Sequence, residues 1–423
     1  MSFLPILLTL TGVFSLIQNR KVLCSPKKLF AHLRQGGKAE KRQTRKNLLL
    51  ALSGTLGVGN ITGVATALLL GGEGSIFWML ISTLFSIPLK YAEATLSARD
   101  GTGGGMSGVL SKVFGKKSGK ILSRVYAYAF LFLSLVLGGA VQGNAIIENA
   151  TTHLSFRKEI LATALVVFLA IFAFGKITRI VHILSFTLPL ATLVYMAMCF
   201  AVLFTHRALL PTLVGRILHS AFSGFQPTVA GLLGTLTSNT VKEGFFAGLL
   251  SNEAGAGTSA LAHEEKSDPS KSGVVGVLEV LFDTTFLCFL SGLTFLVANA
   301  HLCARDAGEV LWRAFFPLFG EAYIIPLLFS IIFLATSSSL CYLVYARRTL
   351  AFLHLEKYTV PFTLLFLFAT AIGGLFRSTP LVILSHEALT LLSLLTSLAI
   401  FGAWWKKKAK KRYLPLTKEE NTV

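Results

Sequence analysis

The sequence predicts an all-α polytopic membrane protein with about eleven transmembrane helices, two of them broken inside the membrane. Three observations carry that prediction. Of 423 residues, 53% are hydrophobic and only 14% charged, more apolar surface than a soluble fold can hide. Stretches long enough to span a bilayer, about 20 residues, recur along the whole chain. The basic residues fall in short runs between those stretches, as cytoplasmic loops do. That distribution also argues against reading the +19 net charge as a nucleic-acid footprint.

Taken in order, the expected spans lie near 3–18, 47–70, 75–98, 122–149, 159–174, 180–205, 241–262, 273–300, 323–346, 358–376 and 380–405. The first is short, but it lacks the basic n-region and small-residue cleavage site of a signal peptide, so it counts as a marginal span. With the N-terminus outside, the inner loops and tail hold thirty Lys and Arg and the outer loops seven. The imbalance orients the chain with its C-terminus in the cytoplasm. Trp404-Trp405 and the basic run from Lys406 to Arg412 form an interfacial anchor at an anionic inner leaflet. The five cysteines stand singly, without metal-ligand or disulfide spacing.

The first break is Ser53-Gly54-Thr55-Leu56-Gly57-Val58-Gly59-Asn60, and the second Ser251-Asn252-Glu253-Ala254-Gly255-Ala256-Gly257. Backbone in lipid leaves helical geometry only where protein or a water-filled cavity satisfies the freed groups. Two such breaks at corresponding places in two halves point to the binding site of a secondary transporter. An unwound turn offers half-helix N–H groups to a carboxylate and upstream carbonyls to a cation or ammonium. Close helix packing is the plainer reading of the glycines. Asn60, placed inside the membrane beside them, favours the functional one.

Further polar groups sit inside the spans, where they are costly. Gln142 and Asn144, two residues apart, cannot both face lipid. Gln142 is the preferred substrate contact, with interhelical hydrogen bonding as the structural alternative. The run Thr336-Ser337-Ser338-Ser339 puts an oxygen on every face of its helix, enough for one pair to help ligate a hard cation. Ser337 and Cys341 lie one turn apart on one face. Glu93, Glu253, Glu279 and Asp283 are candidate proton or cation ligands, or else buried partners of Lys90, Arg99 or helix ends. Glu253, inside the second break, has the strongest claim.

Several motifs together resemble the sodium:alanine (alanine/glycine:cation) symporter family. They are Gly57-Val58-Gly59-Asn60-Ile61-Thr62-Gly63-Val64-Ala65-Thr66-Ala67, Tyr91-Ala92-Glu93-Ala94, Gly104-Gly105-Met106, Val141-Gln142-Gly143-Asn144 and Ser251-Asn252-Glu253-Ala254-Gly255-Ala256-Gly257. Lys266-Ser267-Asp268 and Phe282-Asp283-Thr284 follow in family order. The likeness is good over about residues 40 to 350.

The resemblance implies the leucine-transporter-type fold, a 5+5 inverted repeat preceded by one extra span. On that frame residues 1–46 form the first span and a basic loop, and 47–205 the first repeat. Residues 206–405 form a loop and the second repeat, and 406–423 a basic tail. It implies a sodium ion as coupling ion, held by the carbonyls of Ser53, Leu56 and a residue near Phe333 and by the hydroxyls of Thr336 and Ser337. The N–H groups of Val58 and Gly59 would take the substrate carboxylate and the Thr55 carbonyl its ammonium. Gln142, Ser337 and Cys341 would line the pocket, with Asn60 and Asn252 added from the two breaks. No other cofactor is expected.

The chain departs from the family pattern at Cys341 (usually tryptophan), Ala247 (arginine), Ser185 (glutamate), Thr396-Ser397 (a Pro-Asn pair) and Glu387 (aspartate), and Gly104-Gly105 lacks the usual proline. The implied activity is sodium-coupled uptake of a small neutral amino acid across a bacterial inner membrane. Proton coupling, amino-acid exchange with an altered substrate, and a paralogue that binds without transporting remain as alternatives. A membrane enzyme is disfavoured, because the nine histidines are dispersed and form no nucleophile–base or ligand cluster.

Overall fold

The computed structural model describes residues 3–25, 27, 29, 31–32, 37–154, 156–175, 177–223, 238–263, 268–376 and 378–413. Among these residues every regular element is helical. After α1 (Phe3–Leu23) comes the first broken helix, formed by α2 (Lys38–Thr55), a 3-10 turn at Val58–Asn60, and α3 (Thr62–Gly71). Next, α4 (Ser75–Asp100) runs through Pro88 and stops at Gly101, whose φ of 66° suits a residue without a Cβ. A shorter α5 (Met106–Phe114) leads to α6 (Lys120–Leu133), which passes through a π-helical segment, Ser134–Val141, into α7 (Gln142–His153). Helices α8 (Lys158–Ala173), α9 (Ile177–Thr205) and α10 (Leu210–Ala221) follow.

The second broken helix is α11 (Asn239–Asn252) and α12 (Thr258–Ala262). The Ser238 side chain caps its start by accepting from Val241 N. Asp268 does the same for α13 (Pro269–Val280), which continues through a second π segment, Leu281–Cys288, into α14 (Phe289–Val297). Then follow α15 (Ala307–Phe319), α16 (Ile324–Phe352), α17 (Thr359–Leu375) and α18 (Ser378–Tyr413).

Each of the eleven expected spans falls on helix. Among the described residues seven helices are long and apolar enough to cross a membrane unaided. The other four crossings fall short for visible reasons. Two are the broken helices, α8 has only 16 residues, and α1 carries Gln18-Asn19-Arg20-Lys21 in its last turns.

Helix α4 lies at the centre, packed on α1, α11 and α13. Its approach to α11 depends on Gly248, where an added Cβ would stand 2.0 Å from Ser82 Oγ. The two broken helices lie together: α11 packs on α3, and the 3-10 turn meets the second π segment. Large apolar side chains such as Leu84, Ile160, Phe186, Phe204 and Phe368 point outward, while Ser53, Asn60, Lys90, Glu93, Glu279 and Asp283 are buried. A chain that turns apolar groups out and charges in is suited to lipid. The protein is thus a multi-pass, all-α membrane protein.

Candidate functional site

The first break opens because the helical ladder of α2 ends early. Gly57 N donates to Thr55 O at 2.8 Å, and Val58 N donates to Gln142 Oε1 at 3.3 Å. The carbonyls of Ser53 and Gly54 therefore lose the donors that a continuing helix would bring four residues on. Ser338 Oγ takes over Gly54 O at 3.0 Å. The backbone at Gly57 is extended, φ −108° and ψ −156°, and a Cβ there would press on Gln142 and Ser338 at 3.1 Å. Gly59 faces the second break, with Ser251 Cα 3.7 Å from its would-be Cβ, and Gly63 has open space.

Gln142 and Asn144 divide the roles that sequence left open between them. Gln142 reaches the first break, whereas Asn144 Nδ2 donates to the carbonyls of Gly373 and Phe376 at 3.1 and 2.9 Å. It thereby satisfies the C-terminal end of α17. The π segment before Gln142 was not anticipated. It lies in a stretch, Ser134–Val141, that is apolar on nearly every side and so gives periodicity nothing to register, yet such bulges often occur at functional sites.

The four hydroxyls of α16 go four separate ways. Thr336 Oγ1 is buried without a hydrogen-bond partner. Ser337 Oγ lies 3.4 Å from Thr187 Oγ1 on α9, Ser338 holds Gly54 O, and Ser339 Oγ donates to Gly138 O at 2.7 Å. Sequence reading named Thr336 and Ser337 and missed Ser338 as the hydroxyl that touches the break. Of the remaining expected ion ligands, Ser53 is buried and its hydroxyl donates back to Leu49 O at 2.7 Å. Leu56 caps α2. Phe333 lies on α16 with its ring against Phe329 and Phe168. A released carbonyl at Ser53 and an orphaned buried hydroxyl at Thr336 are the oxygen donors a sodium ion takes, so the residues present fit that ion. Cys341 is turned onto α2, its thiol donating to Leu50 O at 3.1 Å. Thr55 Oγ1 bonds back to Ala51 O.

Asp283 joins the two breaks. Its carboxylate accepts from Asn60 Nδ2, from Ser251 Oγ, and from Thr284 Oγ1 at 2.8 Å. Asn60 Oδ1 is left buried and unpartnered. At the second break Asn252 is committed at both ends of its amide: Nδ2 donates to Thr284 Oγ1 and Oδ1 accepts from Ala254 N, each at 3.0 Å. Here the backbone turns left-handed at Glu253, Gly255 and Gly257, φ 54°, 92° and 76°. Side chains hold the strained turn. Gly255 N donates to Glu93 Oε1 at 2.6 Å, Tyr126 OH to Ala256 O at 2.5 Å, and Tyr342 OH to Glu253. Lys90 Nζ pairs with Glu279 Oε1 at 2.8 Å and donates to Thr258 Oγ1 at 2.9 Å. The expectation that one buried acid serves as partner to Lys90 is thus met by Glu279. Lys266 and Ser267 of the motif run lie outside the described residues.

The sequence profile of the sodium:alanine symporter family matches residues 1–421. The chain belongs to that family. It is a family of transporters rather than enzymes. The chain is similar to the sodium/alanine symporter AgcS of Methanococcus maripaludis, 31% identical over 262 residues, covering 60% of this chain and 57% of that protein. It is also similar to the sodium/proton-dependent alanine carrier protein of Bacillus sp. strain PS3, 28% identical over 356 residues and 77% of each. The first matches among the curated relatives thus span little more than half of those proteins, 53% and 57%. Among solved structures, a manganese transporter of Eremococcus coleocola superposes with a TM-score of 0.47 at 11% identity, over 87% of this chain and 78% of that one.

Proposed function

We propose that the protein is a secondary active symporter that takes up a small neutral amino acid with sodium by alternating access. The reading rests on one observation above the others. At the first break Val58 N–H and the Ser53 carbonyl stand outside the helical ladder, Val58 N meeting only the uncharged Gln142, and α16, which reaches this break through Ser338, also carries the buried, unpartnered hydroxyl of Thr336. A carboxylate suits the N–H groups of Val58 and Gly59, and a sodium ion suits the oxygens of Ser53, Leu56, Thr336 and Ser337. Gln142, whose Oε1 accepts from Val58 N here, would turn its Nε2 to donate to the bound carboxylate. Asn60 shapes the pocket wall through Asp283, while Asn252, its amide committed at both ends, holds the second break. Cys341, shorter than the tryptophan usual at its place, is turned onto Leu50 O, and a wall so shortened suits a substrate larger than alanine.

The N-terminus lies outside and the C-terminus in the cytoplasm of a bacterial inner membrane, as the basic loops favour. Binding must favour one of the two access states, since otherwise ion and substrate would not be coupled.

The test is uptake of radiolabelled alanine into proteoliposomes, with and without an inward sodium gradient, followed by a panel of larger neutral amino acids. Accumulation that needs the gradient is the expected result. Equal uptake with and without sodium for every substrate, by protein shown to be folded, would overturn the sodium-coupled reading.

A further inference from the structure

The second break carries a charge imbalance that the symport of sodium does not use. Glu93, Glu253 and Glu279 are all buried around it, at 0%, 3% and 0% exposure, with Lys90 as the buried ammonium among them. Lys90 is engaged with Glu279 and Thr258. Each of the other two acids has one oxygen held by a neutral donor, Gly255 N for Glu93 and Tyr342 OH for Glu253. The second oxygen of each, Oε2, is buried and makes no well-aligned hydrogen bond; the further groups near the two carboxyls, Gly257 N at Glu93 and Thr258 Oγ1 at Glu253, are neutral.

The other ionisable groups packed on the break have partners of their own. Arg348 of α16 donates to the carbonyls of Leu261 and His263. His263 Nδ1 lies 2.6 Å from Ser259 O, and the His386 ring of α18 lies tilted against Phe246. Tyr126, Cys341, Tyr342, Tyr345 and Cys288 are neutral or add negative charge on ionising, and Asp283 is held by Asn60, Ser251 and Thr284. With all carboxyls ionised, one ammonium would face three carboxylates out of contact with water.

An unpaired carboxylate in such a place is neutralised by taking a proton. We propose that Glu93 and Glu253 form a proton-binding site, each holding a proton on Oε2 while the second break is packed as seen here. Each proton comes from water when the break closes, converting carboxylate to neutral acid, and returns to water when the break opens and rehydrates the carboxylate. Because the groups hold protons only when closed, the closed arrangement is favoured at low pH and weakens as pH rises. This ties the conformational cycle to proton uptake and release through side chains other than the sodium and substrate donors of the first break. The consequence for transport rests on the symport reading; the protonation itself does not.

Infrared spectroscopy of the full-length chain in lipid tests the protonation directly. At neutral pH the wild type shows the band of protonated carboxyl groups, which diminishes in Glu93→Gln and in Glu253→Gln and further in the double variant. Asp283→Asn serves as the control for a buried acid outside the proposed site. A band that neither glutamine variant changes, or no such band in the wild type, overturns the site. Because glutamine imitates the neutral acid, both variants are expected to fold, and thermal unfolding gives a second reading. Wild-type stability falls from neutral to alkaline pH, and the double variant is flat over that range. Equal slopes count against the proposal. In liposomes, failure of sodium-driven uptake with the carboxyl band intact would refute the transport reading alone. Uptake without the band would refute the proton site alone.

Discussion

The two helix breaks look alike in sequence and are built in opposite ways. The first is made of glycines in ordinary regions of backbone space, and its freed groups meet single uncharged side chains, Gln142 and Ser338. The second is wound through three left-handed residues and held by Glu93, Tyr126, Asn252 and Tyr342. One leaves backbone groups for a ligand to use. The other commits its backbone groups to side chains of neighbouring helices, as a hinge or gate requires. Paired breaks therefore mark a transporter without dividing the work between the two halves. The partners of the freed N–H and C=O groups do that.

The sharpest way to break this contrast is at the second break. Lys90→Ala leaves Glu279 buried without its cation, a change that costs about 3–5 kcal/mol. It is expected to abolish folded yield from detergent extraction, whereas Lys90→Met with Glu279→Met recovers most of it. Equal loss in single and double variants would mean that the pair is not what holds α12 to α4 and α13.

At the first break the losses should fall on binding instead. Gln142→Ala is expected to raise the alanine KM about 10- to 100-fold, the worth of a hydrogen bond to a charged group, while its melting temperature stays near wild type. Thr336→Val separates ion from fold still more cleanly. The hydroxyl has no partner to lose, so stability without sodium should be unchanged. What should vanish is the rise in melting temperature that saturating sodium produces, worth about 2.7 kcal/mol at one hundred times Kd. A Thr336→Val protein that sodium still stabilises as it does the wild type would move the ion elsewhere. The smallest expected effect is that of Tyr126→Phe, which removes one hydrogen bond to Ala256 O and costs about 1 kcal/mol in unfolding without changing sodium affinity.

Much of this could be read in the sequence, for physical reasons that also mark where reading stops. The spans follow from apolar length, and the breaks from glycines that a membrane helix would otherwise avoid. Gln142 and Asn144 signalled inward faces because an amide in lipid is costly, but nothing local decides which amide meets the break and which caps α17. The run Thr336–Ser339 advertised oxygen on all sides. Its partners (Thr187, Gly54, Gly138) lie between about 150 and 280 residues away in the chain and come into reach only through packing. The π segments at Ser134–Val141 and Leu281–Cys288 leave no trace in hydrophobic period, though they aim Gln142 and carry Asp283. The left-handed turn at Glu253 escaped notice too, since glutamate seldom adopts it and the support comes from Tyr342 and neighbouring helices.

Equilibrium binding of labelled alanine, with and without sodium, compared among wild type, Gln142→Ala and Asn252→Ala, tests the central contrast most directly. The account predicts that Gln142→Ala loses sodium-dependent binding while keeping its stability. Asn252→Ala should lose stability while the folded fraction binds as wild type does. The reverse pattern, with Asn252→Ala blind to alanine and Gln142→Ala unimpaired, would place the ligand at the second break and contradict the account.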